Sequence, residues 1–122
     1  MINFIFVALG GAVGAMMRYA ISLIPVKTEF PVLTFITNII GAVLIGFIVG
    51  MVSLRQEISQ YLILFLKVGV CGGFTTFSTF SLEALHLFEQ NKIGMGIVYS
   101  MLSVVCSVIG VFVGQNIASE LL

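Results

Sequence analysis

Charge is what this sequence has least of. Of its 122 residues, 8% are Asp, Glu, Lys or Arg, whereas a soluble domain carries about 25% to cover its surface. That shortage excludes a water-soluble globular domain and makes lipid the main solvent around the chain. The five basic and five acidic residues cancel to a formal net charge of zero. No basic stripe runs along any segment, which excludes nucleic acid as a partner. The two cysteines, Cys71 and Cys106, both lie in apolar runs. They read as buried thiols, exclude a disulfide framework and give no compartment signal. The single histidine, His86, has no close Cys or Asp and makes no transition-metal site. No nucleophile–base–orienter set and no phosphate loop occur, so no enzyme is expected. The two prolines, Pro25 and Pro31, fall in one turn; nothing of their kind breaks the long apolar runs.

What is present is apolar: 60% of the residues are hydrophobic. A membrane helix needs about 20 such residues, and four segments of that kind account for nearly the whole length. They run over about residues 2–24, 32–52, 61–88 and 95–117, as a single all-α transmembrane domain spanning residues 1–122. The turn "PVKTEFP" separates the first two, "SLRQEISQ" the next two and "EQNKIG" the last two. The first segment is too long for a secretory core and lacks a basic start, so it is expected to be retained. Four spans place both termini on one side. Gly10 and Gly14, Gly46 and Gly50, and Gly110 and Gly114 are each four apart, the spacing that lets helix backbones approach closely in lipid.

Orientation is weakly encoded. Arg18, Lys27 and Lys92 fall on one side, Arg55 and Lys67 on the other. A bias of one basic residue barely sets topology under the positive-inside rule. Two outcomes fit: one weakly specified orientation, or insertion both ways to give an antiparallel homodimer.

The third segment carries the unusual chemistry. Its midpoint, near Phe74, is surrounded by Gly72–Gly73 and Thr75–Thr76. Glycine costs about 1 kcal/mol in a helix relative to alanine, and threonine is a poor helix former. Glycine alone fits packing in a continuous helix; with the threonine pair beside it, a break near residues 72–76 is expected. Broken helices in lipid leave backbone groups for protein, water or an ion to satisfy. In an antiparallel pair such breaks would face each other, and hard carbonyl ligands suit a cation of the Na⁺ type.

Around this point lie polar and aromatic side chains with two readings each. Phe77 and Phe80 share a helical face; they are core packing, or they present electropositive ring edges to an anion. Thr76, Ser78, Thr79 and Ser81 bond back to carbonyls one turn earlier, or they donate to a passing ion. Tyr99, Ser103 and Ser107 form one stripe at i, i+4, i+8, and Asn38 adds amide donors from the second segment. They glue helices together or line a donor-rich path, which suits a small anion that must trade water for hydrogen bonds. Glu83 is an intramembrane carboxylate and a functional suspect, or an interfacial charge; His86 and Glu89 read as interfacial.

"GGAVGAMMRY" at Gly10–Tyr19, "NIIGA" at Asn38–Ala42 and "GGFTTFSTFSLE" at Gly72–Glu83 resemble the signature segments of the Fluc (CrcB) fluoride channels, and the resemblance extends over the whole chain. It implies an antiparallel, dual-topology homodimer with two fluoride pores in the inner (plasma) membrane. It further implies a structural Na⁺ at the dimer centre, held by the backbone carbonyls of Gly72 and Thr75. By the same resemblance Phe77 and Phe80 line the pore with Asn38 as polar partner, and Tyr99, Ser103 and Ser107 form the polar track. Glu83 matches the acidic pore residue and Arg18 the basic residue of the vestibule. One departure stands in "VLTFITN", where Val32 and Leu33 replace a common glycine, so Thr34 carries less weight as a pore residue. The implied function is passive export of fluoride, lowering its cytoplasmic concentration. The alternative is a small proton-coupled multidrug-type exporter using Glu83; a purely structural helix bundle would leave the mid-depth break without a purpose.

Overall fold

The computed structural model describes residues 1–55 and 57–121. Among these the chain is all-helical, with four helical stretches long and apolar enough to cross a membrane. Helix α1 spans Ile2–Ser22 and α2 spans Val32–Leu54. The third stretch is two helices joined end to end: α3, residues 60–74, and α4, Phe77–Glu89. Helix α5 spans Ile93–Leu121.

Each boundary has a local cause. Helix α2 starts directly after Pro31, whose missing N–H costs nothing at a helix start. Ser59 caps α3 by accepting from the Tyr61 N–H at 3.2 Å. Helix α4 ends in a reciprocal pair of bonds, Asn91 N–H to the Phe88 carbonyl at 3.1 Å and Lys92 N–H to the Leu87 carbonyl at 2.8 Å. Asn91 sits between them with φ 62°, the left-handed residue that this C-terminal motif needs. Helix α1 ends at Ser22, short of the expected residue 24, while the other three spans run past their apolar windows, most of all α5, which reaches Leu121 rather than residue 117. Gln115, Asn116, Ser119 and Glu120 lower the hydropathy there without breaking the helix.

Burial is inverted relative to a soluble protein. Large apolar side chains point outward: Phe4, Met16 and Val108 are 78%, 71% and 66% exposed. The buried positions of α5 are Gly96, Tyr99, Ser103, Gly110, Gly114 and Ala118. Lipid is as apolar as leucine, so the interior is chosen for close approach rather than for hydrophobicity. The glycine pairs do this: a methyl at Gly14 would collide with the Val70 carbonyl of α3, and one at Gly114 with the Val43 carbonyl of α2. Helix α1 thereby packs on α3, and α2 lies along α5. The ends of α4 and α5 close over a small core of Phe80, Ala84, Leu87 and Tyr99, against which Phe30 and Phe35 pack.

Two features distort the third stretch. Leu64–Cys71 is wound as a π-helix, a rare form that is frequent at functional sites. At Thr75 (φ −85°, ψ 157°) and Thr76 (φ −148°, ψ 121°) the backbone is extended, and the stretch bends there.

Candidate functional site

The bend is held by side chains from other helices. Asn38 of α2 reaches the extended Thr76 with both ends of its amide: Oδ1 accepts from the Thr76 N–H at 2.9 Å, and Nδ2 donates to the Thr76 carbonyl at 3.1 Å. The amide replaces a neighbouring strand for a residue that has left the helix, so the backbone groups stay paired. Thr76 also caps α4, its Oγ1 accepting from the Thr79 N–H at 3.1 Å. Arg18 of α1 donates from Nε to the Gly73 carbonyl at 3.2 Å. Thr75 stays tied to the preceding turn, its N–H at 3.1 Å and its hydroxyl at 2.9 Å from the Cys71 carbonyl.

These bonds have a consequence for two carbonyls. In a continuous helix the Gly72 carbonyl would accept from Thr76 N–H, and the Thr75 carbonyl from Thr79 N–H. Both donors are diverted, one to Asn38 and the other to the Thr76 hydroxyl. Gly72 has open space beside it. The two positions singled out in the sequence therefore carry oxygens freed from helical pairing at mid-span.

Beside the bend runs an open groove of about 480 Å³ that gathers most of the sequence-derived residues. Asn38, Thr75, Thr76, Phe77, Phe80, Ser103 and Ser107 all line it. Phe77 is 77% exposed and Phe80 is buried, yet their rings touch with centroids 5.6 Å apart. Ser103 is buried and its Oγ has no hydrogen-bond partner among the described residues, so it is a free donor on an apolar wall.

The remaining residues fall elsewhere. Tyr99, on the same stripe of α5, turns away from the groove; it is fully buried, packs at a tilt against Phe80 with ring centroids 5.1 Å apart and donates to Glu83 Oε1 at 3.0 Å. Thr34 donates to Glu83 Oε2 at 3.1 Å, so the carboxylate is held from both sides by hydroxyls. Arg18, Thr34, Thr37, Thr76 and Thr79 line a polar cavity of about 60 Å³. Ser81 bonds back to the Phe77 carbonyl at 2.9 Å, the ordinary fate of a serine in lipid.

Two residues stand nearer the site than the sequence alone placed them. Thr34, the weaker pore candidate by sequence, touches Glu83, and Thr37 is almost fully buried beside Arg18. Thr34, Thr37 and Asn38 are spaced i, i+3, i+4, which is the signal of one polar helix face.

Four helical stretches able to cross a membrane, a bend pinned by Asn38 and Arg18, and a groove set with isolated donors define a small multi-pass membrane protein. A family model described as CrcB-like protein, Camphor Resistance (CrcB), matches residues 5–115, and the chain belongs to this family. It is 42% identical over 119 residues to a fluoride-specific ion channel FluC of Flavobacterium psychrophilum, covering 95% of this chain and 96% of the relative. It is likewise 42% identical over 124 residues to the protein of that name from Agrobacterium fabrum, with 99% of each covered. A Clostridium perfringens protein of the same name is 43% identical over 117 residues, with 93% and 91% covered.

Proposed function

We infer that the chain is a passive, fluoride-selective channel that lets fluoride leave the cell and lowers its cytoplasmic concentration. The observation that carries this reading is the groove beside the bend, apolar except for isolated donors, in a chain similar over its whole length to proteins named fluoride-specific ion channel.

Fluoride holds its water tightly, and a pore must replace that water without holding the ion. Asn38 has a second amide N–H beyond the one given to Thr76. The Ser103 hydroxyl is free, and Ser107 follows it along the groove. Phe77 and Phe80 offer ring edges of partial positive charge. Thr76 and Thr79 continue the path into the cavity where Arg18 supplies a cation. Glu83, Tyr99 and Thr34 form a fixed polar cluster behind Phe80. Hydrogen fluoride crosses lipid as a neutral molecule, ionises inside and is trapped, so a passive exit suffices. The proton-coupled exporter alternative has no support from the relatives' names, and the carboxylate it would use is engaged by two hydroxyls.

One chain leaves the path open along one side, with Phe77 uncovered. A second, antiparallel copy in the inner membrane would close it, in keeping with the three-to-two balance of basic residues. The bends of the two chains would then meet, and the freed carbonyls of Gly72 and Thr75 suit Na⁺, a hard cation. Bound there, Na⁺ would offset the converging carbonyl dipoles. An experimental structure of the pure protein in sodium is expected to have two antiparallel chains with a cation between those carbonyls. Parallel chains, or water at that point, would refute the assembly.

The function itself is tested with liposomes holding the pure protein and loaded with potassium fluoride or potassium chloride. With a potassium ionophore present, fluoride is expected to leave rapidly and chloride to stay. Equal loss of both ions, or of neither, overturns the reading.

A further inference from the structure

Lys67 is one of two basic residues on the side opposite Arg18. It lies in the π-helical stretch Leu64–Cys71, about two helical turns before the bend at Thr75. Its side chain is exposed, and it lines two cavities at once. One is the main groove, where it stands with Ser107 and Cys71. The other, of about 190 Å³, is bounded by Val52, Ser53 and Ile63. Ser53 is next to the last residue of α2, so the second cavity lies toward that end of the helix, with Lys67 between it and the groove. Among the described residues, Lys67 is the only charged one lining either cavity. Among the described residues its ammonium group has no ion pair, since the one salt bridge joins Lys92 to Glu29.

A cation left without a carboxylate inside a membrane span is costly and a functional suspect by default. Here it faces a pathway already assigned to an anion. We propose that Lys67 is the anion-capturing residue at this mouth of the groove: it draws fluoride through the Ser53 cavity and passes it to the hydroxyls of Ser107 and Ser103. This inference rests on the channel reading above. It gives the path a cation at each end, Arg18 beyond Thr76 and Lys67 beyond Ser107, with uncharged donors between. A charge at a mouth with low-dielectric walls focuses the field and raises the local concentration of the opposite ion. Lysine suits capture followed by release, because its ammonium is a point charge on a flexible stem rather than a planar fork that clamps.

The test compares wild type, Lys67→Gln and Lys67→Arg in liposomes at low fluoride, with ionic strength set by an impermeant potassium salt. The screening length falls from about 30 Å at ~0.01 M to about 8 Å at ~0.15 M. Lys67→Gln is expected to lower initial efflux about tenfold at the low ionic strength. The gap should close to within about twofold at the high one, and Lys67→Arg should keep most of the wild-type rate at both. An unchanged rate for Lys67→Gln at low ionic strength overturns the proposal. So does a loss that is the same at both ionic strengths and is shared by Lys67→Arg, because that is the behaviour of a packing residue. Should Lys67→Gln fail to fold, the wild type still decides: efflux indifferent to ionic strength overturns capture by charge. A wild type that passes no fluoride overturns the channel reading, and this inference with it.

Discussion

Replacing Phe77 with isoleucine is expected to cut fluoride efflux about tenfold or more, which corresponds to a barrier raised by ~1.4 kcal/mol, while the protein stays folded. Isoleucine fills much of the same space and stays apolar, but it has no electropositive ring edge. Phe77 is 77% exposed in the single chain, so its loss costs the fold of that chain little, and a fall in flux cannot be charged to a collapsed core. Phe80→Ile should reduce flux as well, with a stability loss in addition. Its ring is buried and packs on Tyr99 at 5.1 Å, and shortening a buried aromatic leaves space that neighbours fill only partly. The measurement is initial efflux per folded protein for both variants. Wild-type flux in both would return the pair to simple packing.

Asn38 has the second large effect, and two variants separate its two jobs. Asn38→Leu removes both bonds to Thr76 and leaves at least the N–H of this half-buried residue without its partner, at a cost of up to about 1–3 kcal/mol. It should therefore lower both thermal stability and flux. Asn38→Asp keeps an oxygen facing the Thr76 N–H, so that bond should survive, but it sets its second oxygen against the Thr76 carbonyl and puts an anion where fluoride must pass. Two unit charges about 4 Å apart repel by about 4 kcal/mol at an effective dielectric of about 20. Flux through Asn38→Asp should consequently fall about a hundredfold or more, with a melting temperature above that of Asn38→Leu. An Asp variant that conducts like wild type near neutral pH would remove Asn38 from the path and leave it only as the clamp of the bend.

Much of this architecture was legible in the residues. Hydropathy alone placed the four spans, because nothing but helix or closed barrel can satisfy a backbone in lipid. The Thr75–Thr76 pair lies where the third stretch bends, while Gly72 and Gly73 beside it stay helical. What stayed hidden depends on how helices rotate against each other. The stripe Tyr99, Ser103 and Ser107 is continuous on one helix, yet the packing turns Tyr99 inward to Glu83 and leaves the two serines on the groove. Thr34 could be read as a helix residue but not as a partner of Glu83, because that contact joins positions 49 apart in the chain. The π-winding of Leu64–Cys71 left no mark in the sequence.

The inverted burial of this chain changes what counts as a conservative substitution. In a water-soluble protein Gly→Ala is mild and Leu→Phe in a tight interior is severe. Here a single methyl at Gly14 meets the Val70 carbonyl, and at Gly114 the Val43 carbonyl, with backbone on the far side that has nowhere to go. Phe4, Met16 and Val108 meanwhile face outward, 66% exposed or more, where any apolar side chain is solvated by lipid about equally well. Away from the groove, tolerance to mutation should accordingly rise with side-chain bulk. A scoring scheme trained on soluble proteins would rank the variants of this chain nearly upside down, warning at the large residues and passing over the small ones on which the assembly of its helices rests.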